Sequence, residues 1–188
     1  MKIRKATAQD CRFIAELALI AGDGIPAYFW GKSQNKDQDI ISVDASNASS
    51  ETENFSYRNA HLAIVENAVA GILLAYRLPD SRYAKRIEDF PEFILEQCAP
   101  NSFYINMLAT QPQFRNKGVG TTLMSIVDKL ALDTGCNLIS IEVFEQNEGA
   151  LRLYQCLGYE VVEHRNIIRH SCHPYTGRVL LLTKDVAV

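Results

Sequence analysis

Apolar positions in this chain switch between a period of two and a period of three to four, and the switches mark the elements. Ile3–Ala6 reads as a short strand. Thr7-x-x-Asp10 follows as a capping-box start, with Asp10 in place of the usual Glu or Gln. Cys11, Ile14, Ala15 and Ala18 then recur at helical spacing to about Ile20, and Gly22 and Gly24 break the helix. A second short helix is expected over Pro26–Gln34, with proline in its first turn. Residues 36–58 are polar, offer little core, and are expected to form a short helix plus surface loops. The aromatic ends of that region, Tyr28–Trp30 and Phe55–Tyr57, fit either local packing or a substrate-side wall.

His61–Glu66 and Val69–Arg77 read as an antiparallel hairpin turning at Asn67–Ala68. A long connection over 78–100 carries an expected helix at Pro91–Cys98, and Ser102–Ala109 is a strand. Val119, Leu123, Ile126, Val127, Leu130 and Ala131 predict one helix stopped by Gly135. Leu138–Phe144 is a strand, Glu148–Leu157 a helix ended by Gly158, and Tyr159–Arg169 and Arg178–Lys184 are final strands around the turn Pro174–Gly177. The order predicts a mixed α/β sheet in which the strand–helix–strand unit 102–144 supplies one parallel pair.

Composition narrows the class. With 188 residues the chain has the length of one domain. A formal net charge of −3 gives no general grip on nucleic acid or anionic membrane. No apolar run reaches the length of a membrane span, and MKIRKATAQD lacks a signal-peptide core. Cys11, Cys98, Cys136, Cys156 and Cys172 lack CxxC spacing and read as reduced thiols of the cytoplasm. His164, His170, Cys172 and His173 do not match a zinc spacing, so no metal is expected.

The chemistry concentrates at Ile105–Thr121. A strand enters a loop that presents Gly118 and Gly120, and a patterned helix leaves it. Glycine lets backbone N–H groups approach an anion, and a helix start adds a favourable dipole. Arg115 and Lys117 add charge, and Thr121 can donate a hydroxyl. By itself the loop fits a phosphate site or a structural turn with solvated cations. It has neither the dinucleotide nor the P-loop glycine spacing.

Arg115-x-x-Gly118-x-Gly120 resembles the [QR]-x-x-G-x-[GA] coenzyme A motif of the GCN5-related N-acetyltransferase (GNAT) superfamily. Asn147-x-x-Ala150-x-x-Leu153-Tyr154-x-x-x-Gly158-Tyr159 looks like its second half-motif, and Ile3-Arg4-x-Ala6-Thr7-x-x-Asp10 like a common opening. The resemblance leaves out about 25–58 and 78–100. It implies a single acetyltransferase domain over 1–188, with a mostly antiparallel sheet, helices on both faces, and a central parallel pair splayed to hold acetyl-CoA. Backbone amides of Arg115, Asn116, Lys117, Gly118, Val119, Gly120 and Thr121 would hold the pyrophosphate. Met107, Leu108 and Ala109 would pair with the pantetheine arm as if it were an added strand.

Acetyl transfer to an amine needs a neutral amine, a stabilised oxyanion and a stabilised thiolate. The resemblance matches Tyr154 to the tyrosine facing the coenzyme sulfur; on helix periodicity alone it could equally be core. Glu142 is the candidate base. It shares a strand face with Leu138, Ser140 and Phe144, near the carboxyl end where α/β sheets bind ligands. Ile141-Glu142-Val143 with Asn147 resembles bacterial ribosomal-protein alanine N-acetyltransferases, in which a glutamate here is the proposed base; the other reading is a solvated sheet face. A backbone N–H near Leu108 would form the oxyanion hole. Asn147 fits both a pantetheine contact and a helix N-cap.

An α-amine is about one-tenth neutral at pH 7, and a lysine less than about one part in a thousand, so the acceptor sets how much help is needed. The expected partners are acetyl-CoA and a primary amine of a small molecule, peptide or protein. A homodimer stays open, with 78–100 a candidate contact or lid. A domain of another class, a catalytically silent coenzyme A sensor, would keep the cradle and lack turnover.

Overall fold

The structure, a computed structural model, describes residues 1–22, 25–33, 39–78, 99–167 and 175–186. The expected helix at Pro91–Cys98 lies outside them, as do His170, Cys172 and His173. Seven strands form one sheet in the order β1-β2-β3-β4-β5-β7-β6. They are β1 (Lys2–Lys5), β2 (Ala60–Val65), β3 (Ala68–Arg77), β4 (Phe103–Thr110), β5 (Leu138–Phe144), β6 (Glu160–Asn166) and β7 (Arg178–Asp185). The helices are α1 (Cys11–Ala21), α2 (Ile25–Ser33), α3 (Ile40–Ala48), α4 (Val119–Met124), α5 (Val127–Asp133) and α6 (Glu148–Cys156), and they flank both sheet faces. The pairs β1·β2, β2·β3, β5·β7 and β6·β7 are antiparallel, and β4·β5 is the expected parallel pair.

Two compact units divide the chain. The first comprises Met1–Ala75 and Met107–Ile126. Its opening follows the predicted cap: the Asp10 carboxylate accepts from the Thr7 N–H at 2.8 Å and takes a two-pronged ion pair from Arg4 at 2.7 Å. Ile14, Leu17, Leu62, Ile72 and Leu73 are fully buried here. Each such side chain contributes about 1.5–3 kcal/mol of hydrophobic stabilisation.

Three expectations need correction in this unit. The hairpin turns at Glu66–Asn67, one residue early, because both residues adopt the left-handed conformation (φ 49° and 64°) that a tight hairpin turn requires. The polar stretch does contribute to the interior: α3 packs on α1, with Asp44 and Ala48 buried. The helix expected from Val119 to Ala131 is broken in two at Ser125 and Ile126. There the Ser125 hydroxyl donates to the Thr122 carbonyl at 2.7 Å and the Thr122 hydroxyl to the Gly118 carbonyl at 2.8 Å, the side-chain competition that loosens helices.

The second unit comprises Tyr76–Asn106 and Val127–Val188. Ile105, Ile139 and Leu182 are its largest fully buried side chains among the described residues. Lys184 on β7 reaches Asp128 on α5 at 2.8 Å, which places Lys184 and its register partner Ile139 on the α5 face. Ser140, Glu142 and Phe144 therefore share the opposite face.

Candidate functional site

The first unit contains the glycine loop. After β4 the chain makes a tight turn over Pro112–Phe114, and the Gln111 N–H returns to the Ala70 carbonyl at 2.9 Å. Asn116 and Gly118 both adopt left-handed backbone (φ 59° and 76°), so the loop reverses twice before α4 begins. Gly118 is the N-cap of α4, and a Cβ built on it meets nothing within 4 Å. The first-turn N–H groups of a helix have no intrahelical acceptor; here they belong to Val119, Gly120 and Thr121. Arg115, Lys117 and Thr121 are exposed, and Lys117 lies 5.7 Å from the centre of the Phe114 ring. Exposed first-turn amides beside two cations are an arrangement that can attract an anion. Because α4 has only six residues, its dipole adds less than the single longer helix expected from sequence, and the loop amides carry more of the field.

Gly71 was not among the expected site residues, yet it sets where the loop starts. A Cβ there would stand 2.6 Å from the Ala109 carbonyl oxygen and 2.8 Å from Val119 Cγ1. Glycine lets β3 lie against the end of β4 and the first residue of α4. Gly71→Ala should lower the melting temperature by about 3–10 °C, from an overpacking cost of about 1–3 kcal/mol. The comparison is Gly149→Ala, where the added Cβ meets nothing within 4 Å. Equal melting points for the two variants would refute the close approach.

The parallel ladder is short. It pairs Phe103, Tyr104 and Ile105 with Ile139, Ser140 and Ile141, and stops there. Met107 and Ala109 are buried and Leu108 half-buried on the continuing part of β4.

The second unit carries the other expected residues. Asn147 is the N-cap of α6; its side-chain oxygen accepts from the Ala150 N–H at 3.3 Å, which is the capping role. Tyr154 is 5% exposed, its ring 5.9 Å from that of Tyr159 and tilted by 57°. Burial pushes the Tyr154 phenol well above the ordinary tyrosine range. Burial does the same to Tyr159, reinforced by the charge of Asp128.

Glu142 is half-buried on β5, with the Tyr104 hydroxyl 3.5 Å from Oε2. Its neighbour Ser140 on the same face is fully buried. Phe144, next on the same face, stacks on Tyr175 at 4.1 Å. Beyond it, Glu145 pairs with Arg178, which holds the carboxylate below its usual range, and Gln146 accepts from the Thr176 N–H at 2.9 Å. Tyr104 was missed because a tyrosine in an apolar strand reads as core; only the register with β5 reveals its neighbour.

The aromatic end at Phe55–Tyr57 is tied locally: Tyr57 donates to Glu51 at 3.3 Å, and the Ser56 hydroxyl donates to the Ser50 carbonyl at 2.5 Å. His61 is half-buried on β2, where burial and Lys5 lower its pKa. Among the described residues no group of three His, Cys, Asp or Glu could hold a metal ion, and no helix is long and apolar enough to cross a membrane.

A family model described as Acetyltransferase (GNAT) family matches residues 30–159. The thialysine N-epsilon-acetyltransferase of Mus musculus is 32% identical over 66 residues, covering 35% of this chain and 39% of that protein. The chain thus spans about two-fifths of the length of the curated relatives it matches. A solved structure described as an acetyltransferase superposes with a TM-score of 0.75 at 23% identity, covering 100% of both chains. The ribosomal-protein-alanine N-acetyltransferase from Brucella melitensis gives a TM-score of 0.65 at 16% identity over 98% of this chain and 99% of that one. At these identities the two structures show the fold. Mammalian and bacterial proteins both match, so the bacterial character expected from the sequence has no specific support.

Proposed function

We infer that this chain, which belongs to the acetyltransferase (GNAT) family, moves an acetyl group from acetyl-CoA to a primary amine of a small molecule, peptide or protein. Residues 1–188 serve as one N-acetyltransferase domain, with about 25–58 and 78–100 on the substrate side. The observation that carries this reading is the glycine loop. Left-handed Asn116 and Gly118 open onto the first-turn amides of α4, beside Arg115 and Lys117, within the matched span.

In this reading the amides from Arg115 to Thr121 hold the pyrophosphate. The Met107–Ala109 backbone receives the pantetheine arm, and the Leu108 N–H faces the carbonyl oxygen. Glu142 takes the proton of the attacking amine. Tyr154 donates a hydrogen bond to the departing sulfur, and Asn147 contacts the pantetheine while capping α6. The dispersed cysteines, with Cys11 and Cys136 free and buried, fit a cytoplasmic protein.

Acetyl-CoA at about a hundred times its Kd should stabilise the fold by about 2.7 kcal/mol, a rise of about 5–10 °C in melting temperature. Gly118→Trp should remove that rise by filling the loop. No rise in the parent protein at millimolar acetyl-CoA would refute the cofactor reading. The acceptor is sought by following thiol release across lysine, thialysine, aliphatic diamines and alanyl peptides. A thermal rise with no thiol release from any amine would favour a silent coenzyme A sensor.

A further inference from the structure

We propose that Tyr104 is a positioning residue for Glu142: its buried phenol fixes the carboxylate's orientation for taking up the amine proton. The proposal rests on the reading of Glu142 as the base. β4 and β5 run parallel, with Tyr104 opposite Ser140. Glu142 lies two residues further along the same face, the diagonal that a long side chain can span. The phenol oxygen is 3.5 Å from Glu142 Oε2, and Tyr104 is 7% exposed. Its ring is held edge-on by Tyr76, with centroids 5.8 Å apart and planes at 71°.

The serines on this face cannot do the same work. The Ser102 hydroxyl donates to the Ala99 carbonyl at 2.7 Å and meets the Ser140 hydroxyl at 2.5 Å. Each hydroxyl has one proton, so the Ser140 proton goes to Ser102 and neither serine has one for Glu142. Tyr104 supplies a donor at the carboxylate. A hydrogen-bond donor to a carboxylate restrains it and favours its charged form. At 3.5 Å the contact is long; catalytic hydrogen bonds often tighten in the substrate complex. Its effect is on the carboxylate's orientation.

Tyr104→Phe keeps the ring against Tyr76 and removes only the donor. The Glu142 carboxyl, titrated by carbon-13 NMR of labelled glutamate and assigned with Glu142→Gln, should rise in pKa by about 0.5–1 unit in this variant. With the panel amine giving fastest thiol release, kcat/KM at pH 7 should fall about tenfold, and the acid limb of its pH profile should move upward by the same interval. Acetyl-CoA affinity should change less than about twofold, and the double variant should be no slower than Glu142→Gln alone, because the two groups act as one unit. An unmoved Glu142 titration, or losses that simply multiply in the double variant, would overturn the proposal. Full activity of Glu142→Gln at every pH would instead remove the base reading itself, and the proposal with it. The NMR titration separates these failures, since it does not depend on turnover.

Discussion

Tyr154→Phe should lower kcat by about a hundredfold while changing the Kd of acetyl-CoA less than about threefold. The substitution keeps the ring that packs near Tyr159 and removes one hydroxyl, so the fold should survive. Burial raises the Tyr154 phenol far above the ordinary range, and it therefore keeps its proton at any working pH. A free thiol has a pKa of about 8.5, so full transfer of that proton to the departing thiolate is uphill, and the benefit comes from a hydrogen bond strengthened as charge develops on sulfur. It follows that Tyr154 puts no alkaline limb in the rate profile below about pH 10. Stopped-flow turnover and direct acetyl-CoA titration of the same preparation check the split. Equal losses in turnover and binding would make Tyr154 a packing residue.

Asp44→Asn should make the protein more stable at pH 8 and raise its stability much less, by about 1 kcal/mol, at pH 4.5. Asp44 is 1% exposed on α3, and among the described residues its Oδ2 has no hydrogen-bond partner. Burial pushes its pKa up to about 7, against a smaller lowering by the Asn47 side chain. A carboxyl whose pKa is raised on folding binds more protons folded than unfolded. Stability is then greatest below the unfolded value near 4, falls as pH rises from about 4 to 7, and is level above that. The ionised group costs roughly 3–4 kcal/mol at pH 8, which the uncharged amide avoids, for a gain of about 5–10 °C.

Asp10 works in the opposite sense. Its hydrogen bonds from Arg4 lower its pKa to about 2, so its contribution is present above about pH 4 and lost as pH falls towards 2. At pH 4.5 that contribution is still in place and does not obscure the comparison. Thermal denaturation of parent and variant at the two pH values checks the sign. An equal loss of stability at both would show Asp44 charged and partnered.

The strands and α1 were legible because a two-residue or helical period is a local signal, and the Thr7–Asp10 cap because its residues are three apart. The glycine loop was legible for the same reason. The hairpin turn was displaced because Glu66 adopts left-handed backbone without glycine's help. The break at Ser125 was hidden because the apolar stripe continues through it, while the competing hydroxyls carry no periodicity. Tyr104, Gly71 and Asp44 act through partners distant in sequence, and a single strand or helix shows only its own pattern. Asn147 was expected in two roles, and the cap is the one its hydrogen bond shows.

Gly71 also bears on how such a chain can drift. Every replacement adds a Cβ, and of the two groups it would strike, Val119 can be trimmed by a second substitution. The Ala109 oxygen cannot, because it belongs to the main chain and no codon encodes its removal. A substitution at position 71 is therefore relieved only if β4 itself retreats, and that retreat would carry Met107–Ala109 with it.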